Sequence, residues 1–260
     1  MTEAWDINKI ATIVGANFGN EFALADHNRE SSEPPLFTHQ PSGLGFRYIP
    51  GGVFSMGLSD QEETAARNLC DPIPANLPEM RPVHELRMMP FLMAERPVLM
   101  KNVGDDTTCS SSQSAAYLSY DEAIACCDRL GATLPSEAQW EYACRAGSNT
   151  LFTWGNDLPD GNELAGWMKF DFAGGNGNAN ASGLHGLFVG EWCSDTFTSS
   201  YEADHSGTDA KVIRGGGALF WPWQDREWVW CMSAMRMPST DLIDNQCGCR
   251  PVRNLPADQA

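Results

Sequence analysis

Positive charge is what this chain lacks most. Lysine and arginine total 17 against 34 aspartates and glutamates in 260 residues, and the net charge is −17. So acidic a surface repels phosphate and argues against nucleic acid as a partner. No apolar run reaches the roughly 20 residues of a membrane-spanning helix, so no membrane-spanning segment is expected. No basic secretory leader is expected either. Glu3 and Asp6 stand where such a leader carries basic residues, and the apolar run Ile10 to Ala16 is short. Histidine is scarce: His27, His39, His84, His185 and His205 are scattered, with no pair at metal-ligand spacing. The nine cysteines are odd in number, and Cys126 and Cys127 are adjacent. That pattern suits free thiols in a reducing compartment rather than a disulfide framework. A cytoplasmic protein is expected.

What is present suffices for a globular domain. Hydrophobic residues make up 42% and charged residues 20% of the chain, enough to bury a sizeable core. Residues 1–45 read as an extension of short helix and loop. Ile7, Ile10, Ala11 and Val14 share a helical face behind an Asp6 cap, and the proline-containing stretch from Asp26 to Gly45 reads as loop. Phe46 to Gly57 reads as two short strands around a Pro50-Gly51-Gly52 turn. Ser59 with Glu62 forms a capping box for a helix ending near Cys70, and residues 82–100 look extended. Ser119 with Glu122 starts a third helix, with Ala123, Ile124, Cys127 and Leu130 as its buried stripe and Gly131 at its close. Ser136 with Gln139 starts a fourth, with Trp140, Ala143 and Cys144 inward and Gly147 at its end. No long helix is expected after that. The run 174–180 is a clear loop.

The stretch from Lys211 to Arg253 has another character. It opens as a strand into a glycine turn, Val212 to Gly217, and closes with Gly248, Cys249 and Arg250. Between them Phe220, Trp221, Trp223, Trp228 and Trp230 put five aromatics in eleven residues, followed by Met232, Met235 and Met237. The segment has no clean period of 2 or 3.6. Aromatic, Met and Arg side chains enrich interface cores, so the stretch reads as a binding surface on a fixed frame.

Several motifs resemble one family in order. Tyr48 to Gly57, Leu118 to Ala123, Arg129 to Gly147, Phe152 to Gly155, Asn178 to Leu184, Gly190 to Asp195, Val212 to Gly216, Ser233 to Arg236 and Gly248 to Arg250 resemble the formylglycine-generating enzymes, or sulfatase-modifying factors. The resemblance implies an α+β, C-type lectin-like fold over residues 46–254, with two main helices, short strands, much irregular structure and a tail at 255–260. It also implies a copper site of two thiols between the positions matching Arg214 and Arg236. Counting back from Arg236 those positions are Trp223 and Trp228, and counting forward from Arg214 they are Phe220 and Asp225. Neither pair holds a thiol, and Cys231 is the only cysteine in the interval. The resemblance further implies structural calcium, with Asn162, Asp171, Asn176 and Asn178 as candidate oxygen ligands.

The segment also resembles the C-terminal part of variable proteins of diversity-generating retroelements. That likeness implies a non-catalytic protein whose residues 214–250 bind a ligand, most naturally another protein, without a required cofactor. The expected frame is Arg214, Gly215, Gly216, Ser233, Ala234, Arg236, Gly248 and Arg250. The expected ligand-binding side chains are Leu219, Phe220, Trp221, Trp223, Asp225, Glu227, Trp228, Trp230, Met232, Met235, Met237, Ser239, Thr240, Leu242, Ile243 and Asp244. Roughly half of the aromatics are expected at the surface and half in the core. The alternatives are an oxidase or related metalloenzyme with an atypical site at Cys231, and a sugar-binding module, for which the Glu-Pro-Asn and Gln-Pro-Asp motifs are absent.

Overall fold

The computed structural model describes residues 5–25, 33–99, 116–160, 162–163, 179–204, 209–216, 227–240 and 247–256. Among the described residues, four helices form where the capping residues stand. Helix α1 is Ile7–Phe18, with the Asp6 carboxylate accepting from the Lys9 amide. Helices α2 (Asp60–Leu69), α3 (Tyr120–Arg129) and α4 (Glu137–Arg145) each begin on a complete capping box, at Ser59, Ser119 and Ser136. Each box satisfies backbone N–H groups that a helix start otherwise leaves unpaired.

Among the described residues, ten short strands pair antiparallel into three sheets. The largest has five strands in the order β1 (Phe22–Leu24), β2 (Leu36–His39), β3 (Gly45–Ile49), β6 (Phe91–Ala94) and β10 (Val252–Asn254). Strands β4 (Gly52–Met56) and β5 (His84–Met88) make a separate ribbon. Strands β7 (Glu191–Thr196), β8 (Lys211–Arg214) and β9 (Arg236–Pro238) make the third sheet. Strand β6 is apolar and buried along its whole length because both its faces are covered. Leu92 and Ala94 pack towards α1 with Ile10 and Val14, while Phe91 and Met93 pack towards α4 with Trp140 and Ala143. The alternation is the two-residue period of a strand.

Two sequence expectations change here. Residues 36–39, expected as loop, are strand β2 and pair with β3 through Leu36↔Arg47 and Phe37↔Phe46. Strand β1 pairs with β2 at the edge of the same sheet, and α1 packs on it through Ile10 and Val14. Pro34 and Pro35 just upstream hid so short a strand. Strands β3 and β4 do exist on either side of Pro50-Gly51, but they do not pair with each other as a hairpin would. Each goes to its own sheet. At the crossing a Cβ on Gly51 would lie 2.9 Å from the Met88 carbonyl oxygen, so a side chain there would collide with backbone.

A smaller change concerns α3. Its inward residues are Ala123, Cys126 and Cys127, whereas Ile124, expected inside, is 37% exposed. The third and largest apolar cluster lies beneath α3 and includes Leu58, Met80, Leu118, Trp192 and Ile213.

Candidate functional site

The three arginines of the expected frame are all buried, and each has a carboxylate from outside the segment. Arg214, at the end of β8, pairs with Glu141 of α4 and also donates to the Ser233 carbonyl at 3.0 Å. Arg236 makes a two-pronged contact with Glu137 of α4, at 2.9 and 2.7 Å, and donates to the Thr198 carbonyl at 3.0 Å. Its guanidinium lies over the Phe197 and Tyr201 rings. Arg250 grips Glu191 of β7 at 2.7 and 2.9 Å. It also donates to the carbonyls of Ala94, Glu95 and His185. The Trp140 indole N–H adds a 2.7 Å bond to the same Glu191 carboxylate.

Helix α4 organises this network. Glu137, Glu141 and Arg145 are four residues apart, so all three share one face. Arg145 ties Glu141 to Glu62 of α2 at 2.8 and 2.7 Å. Burial opposes the charge of Glu141, yet Arg214 and Arg145 hold its carboxyl below the usual range. Glu137 moves the other way. Burial outweighs its two arginines, and Asp195 and Glu141 add to the rise. Such pairs add little net stability over apolar packing, but removing one partner strands a charge. Their role here is to fix where the segment leaves and re-enters the domain.

The exit after Arg214 is equally constrained. Gly215 and Gly216 have φ of +86° and +104°. A Cβ on Gly215 would lie 2.5 Å from the Val189 carbonyl oxygen. Only glycine takes that backbone at that distance.

The structure divides the expected ligand-binding residues. Trp228 is 3% exposed, with its ring set edge-on to Phe152 at 5.9 Å. Met232, Met235 and Met237 are buried in the same cluster beneath α3. These four are corrected from surface to core: they fill space below the frame, and their side chains face no solvent. Trp230 and Ser239 are half-buried and Thr240 is exposed. The Ser239 hydroxyl accepts from the Lys211 amide at 2.8 Å, which closes β8 against β9. Glu227 opens a 3-10 turn, Glu227–Cys231. Leu219, Phe220, Trp221, Trp223, Asp225, Leu242, Ile243 and Asp244 lie outside the described residues.

The thiol positions do not fit a copper pair. Trp228 is a buried indole, and the other matching positions carry no sulfur. Cys231 is 5% exposed, and burial pushes its thiol up to about 12. A protonated buried thiol is a poor ligand and a poor nucleophile. Cys247 and Cys249 are also buried. Asn162 is exposed and helical, and the Asp160 carboxylate accepts from its amide at 2.7 Å. Asp171, Asn176 and Asn178 lie outside the described residues, as does most of the 174–180 loop.

Sequence reasoning named the arginines but missed the carboxylates that hold them. The signal was the Glu137, Glu141, Arg145 spacing on the helix face next to Trp140.

Fold and frame together define a domain of the formylglycine-generating-enzyme type. Residues 32–255 match the sulfatase-modifying factor enzyme 1-like domain, and the chain belongs to that family. It is 36% identical over 135 residues to the formylglycine-generating enzyme of Mus musculus, covering 42% of this chain and 36% of that protein. It is 30% identical over 140 residues to that of Streptomyces coelicolor, covering 44% of this chain and 45% of that protein. The matched stretch thus spans less than half the length of these relatives. Two solved structures share the fold. PvdO from Pseudomonas aeruginosa aligns with TM-score 0.58 and 18% identity over 85% of this chain and 98% of its own. Treponema denticola variable protein 1 aligns with TM-score 0.55 and 16% identity over 82% and 95%. Among the described residues no helix is long and apolar enough to cross a membrane.

Proposed function

We propose that this chain is a non-catalytic binding protein. In this reading residues 217–226 and 241–246, with Trp230 and Thr240 beside them, present a ligand-binding surface, and the ligand is another protein. The observation that carries it is the contrast within one interval. The frame arginines are kept and firmly held, while no thiol stands at either count of the copper positions and Cys231 is buried and protonated. Frame without copper ligands supports display rather than oxidation. The fold shared with a variable protein is compatible with this. The net charge of −17 supports a partner other than nucleic acid. None of the eight described cysteines stands in a disulfide, which supports a reducing, cytoplasmic setting. Binding needs no cofactor in this reading, and calcium at Asn162, Asp171 and Asn176 has at most a structural part.

Sequence comparison of gene copies from related cells tests the display. Differences should concentrate between the codons for Ala218 and Gln246, with a near-identical non-coding repeat carrying adenines at the variable positions. Uniform copies without a repeat would sink the reading. The identity to formylglycine-generating enzymes favours one rival, an oxidase of altered site. Copper-dependent oxidation of a cysteine-containing peptide, abolished by Cys231→Ser, would establish that rival.

A further inference from the structure

The ribbon of β4 and β5 has a free edge and an ordered row of side chains along it. Among the described residues β5 pairs with β4 alone, and residues 83–89 make no backbone hydrogen bond outside that ladder. In an antiparallel pair every second residue turns its N–H and C=O away from the partner strand. The far edge of β5 therefore carries backbone donors and acceptors that another strand can take up.

Two ring contacts fix which way the ribbon faces. Phe54 of β4 packs on Tyr142 at 5.1 Å and His84 of β5 packs on Tyr201 at 4.8 Å, ring centre to ring centre. Alternate residues then point away from the domain. Burial alternates along β5 accordingly, and Val83, Glu85, Arg87 and Met89 are all exposed. On β4, Ser55 stands opposite Glu85 and Val53 opposite Arg87, so neither charge meets its opposite across the ribbon. Among the described residues Glu85 and Arg87 have no ion-pair partner. The order of the row is its informative property. Forwards it is apolar, acidic, basic, apolar. In an antiparallel copy turned about Leu86, each Glu85 falls opposite the other copy's Arg87, and each Val83 opposite the other copy's Met89. The row is complementary to itself.

We propose that two copies of this chain associate through β5, edge to edge and antiparallel about Leu86, making one four-stranded sheet in the order β4-β5-β5-β4. Backbone hydrogen bonds join the edges, and the Val83–Met89 contacts bury apolar surface at both ends. The charges set the register. A slip of two residues either way sets Glu85 against Glu85 or Arg87 against Arg87, and like charges directly opposite are destabilising. The net charge of −17 on each copy opposes association, but at physiological ionic strength its reach is only about 8 Å. The contact is two-fold and uses the same edge of both copies, so assembly closes at the dimer.

This inference does not depend on what the displayed segment binds. Sedimentation of the full chain at physiological ionic strength, over a range of protein concentrations, tests it. The mass should rise from one chain to two and no further. Arg87→Glu replaces two opposite-charge pairs by two like-charge pairs and should raise the dimer dissociation constant about tenfold. Glu85→Arg should do the same. Combining Glu85→Arg with Arg87→Glu restores both pairs and should restore the dimer, which separates a lost contact from a misfolded chain. Leu86→Cys reads the register independently. Residues directly opposite in an antiparallel pair have Cα atoms about 4.5–5.5 Å apart, within disulfide reach. Mild oxidation should therefore join two Leu86→Cys chains at that position and leave the unmutated chain unjoined. A chain that stays monomeric at every concentration, whether its edge takes another protein's strand or none, overturns the proposal. So does a dimer indifferent to both charge reversals, or one that the double exchange does not restore.

Discussion

Glu191→Gln isolates the contribution of a single charge to the frame. The Glu191 and Arg250 side chains are both 0% exposed, and the carboxylate takes 2.7 and 2.9 Å bonds from the guanidinium. The amide is nearly isosteric, so packing and the acceptor for the Trp140 indole are preserved. What disappears is the negative charge. Arg250 then faces only the neutral carbonyls of Ala94, Glu95 and His185. Stranding a buried charge costs about 3–5 kcal/mol. For a chain of this size that corresponds to a fall in Tm of about 6–20 °C. Glu63→Gln is the matched control. It removes the same charge from two partly exposed pairs, with Arg67, whose side chain is 44% exposed, and with Arg81, whose side chain is 31% exposed, and should cost about 1 kcal/mol. Urea denaturation of the wild type and both variants, followed by tryptophan fluorescence, measures each loss. Replacing both partners, as Glu191→Gln with Arg250→Met, should recover part of the loss, because no charge is then stranded. If Glu191→Gln costs no more than Glu63→Gln, the frame does not rest on this pair and the reasoning fails.

Other perturbations follow from the same geometry. Gly215→Ala should destabilise more than Gly147→Ala by urea midpoint. Both have positive φ, but only at Gly215 does the added carbon meet backbone, 2.5 Å from the Val189 oxygen. Trp228→Ala should cost about 3–5 kcal/mol as a core deletion, whereas Thr240→Ala should leave stability within about 0.5 kcal/mol while altering ligand capture by the display surface. The carboxyl of Glu141 lies below its ordinary range, so its stabilisation is present above the unfolded value and is lost as pH falls through the folded one. The gap between wild type and Glu141→Gln in urea titrations should therefore shrink on acidification. Glu137 has the opposite sign. Its stabilising effect is complete below the unfolded value and is lost as pH rises through the folded one. The gap between wild type and Glu137→Gln should accordingly shrink as pH rises.

Local chemistry was readable where it is decided locally. The three capping boxes depend on residues three apart, and Ser59, Ser119 and Ser136 start helices as their spacing requires. The glycine turn after Arg214 was readable for the same reason. Pairing was less so. The Pro50-Gly51 link suits a hairpin, and only the distant strands β5 and β6 decide that its two arms part. The frame arginines could be named from the order of motifs. Their carboxylates could not, because Arg236 and Glu137 are 99 residues apart along the chain. Trp228 and the three methionines were misplaced for a related reason. A segment without a period does not tell which of its apolar side chains reach the core, and here the 3-10 turn, the link after it and β9 turn them inward.

The carboxylates that hold Arg214, Arg236 and Arg250 come from Glu137, Glu141 and Glu191, all upstream of the segment they secure. Under the proposed display function, folding and novelty would thereby be written in separate stretches of the gene. The carboxylate partners of these three arginines among the described residues lie outside 217–226 and 241–246. A library confined to those codons would begin from a domain whose fold its own diversity does not have to rediscover. The same separation suits the chain to carrying grafted loops.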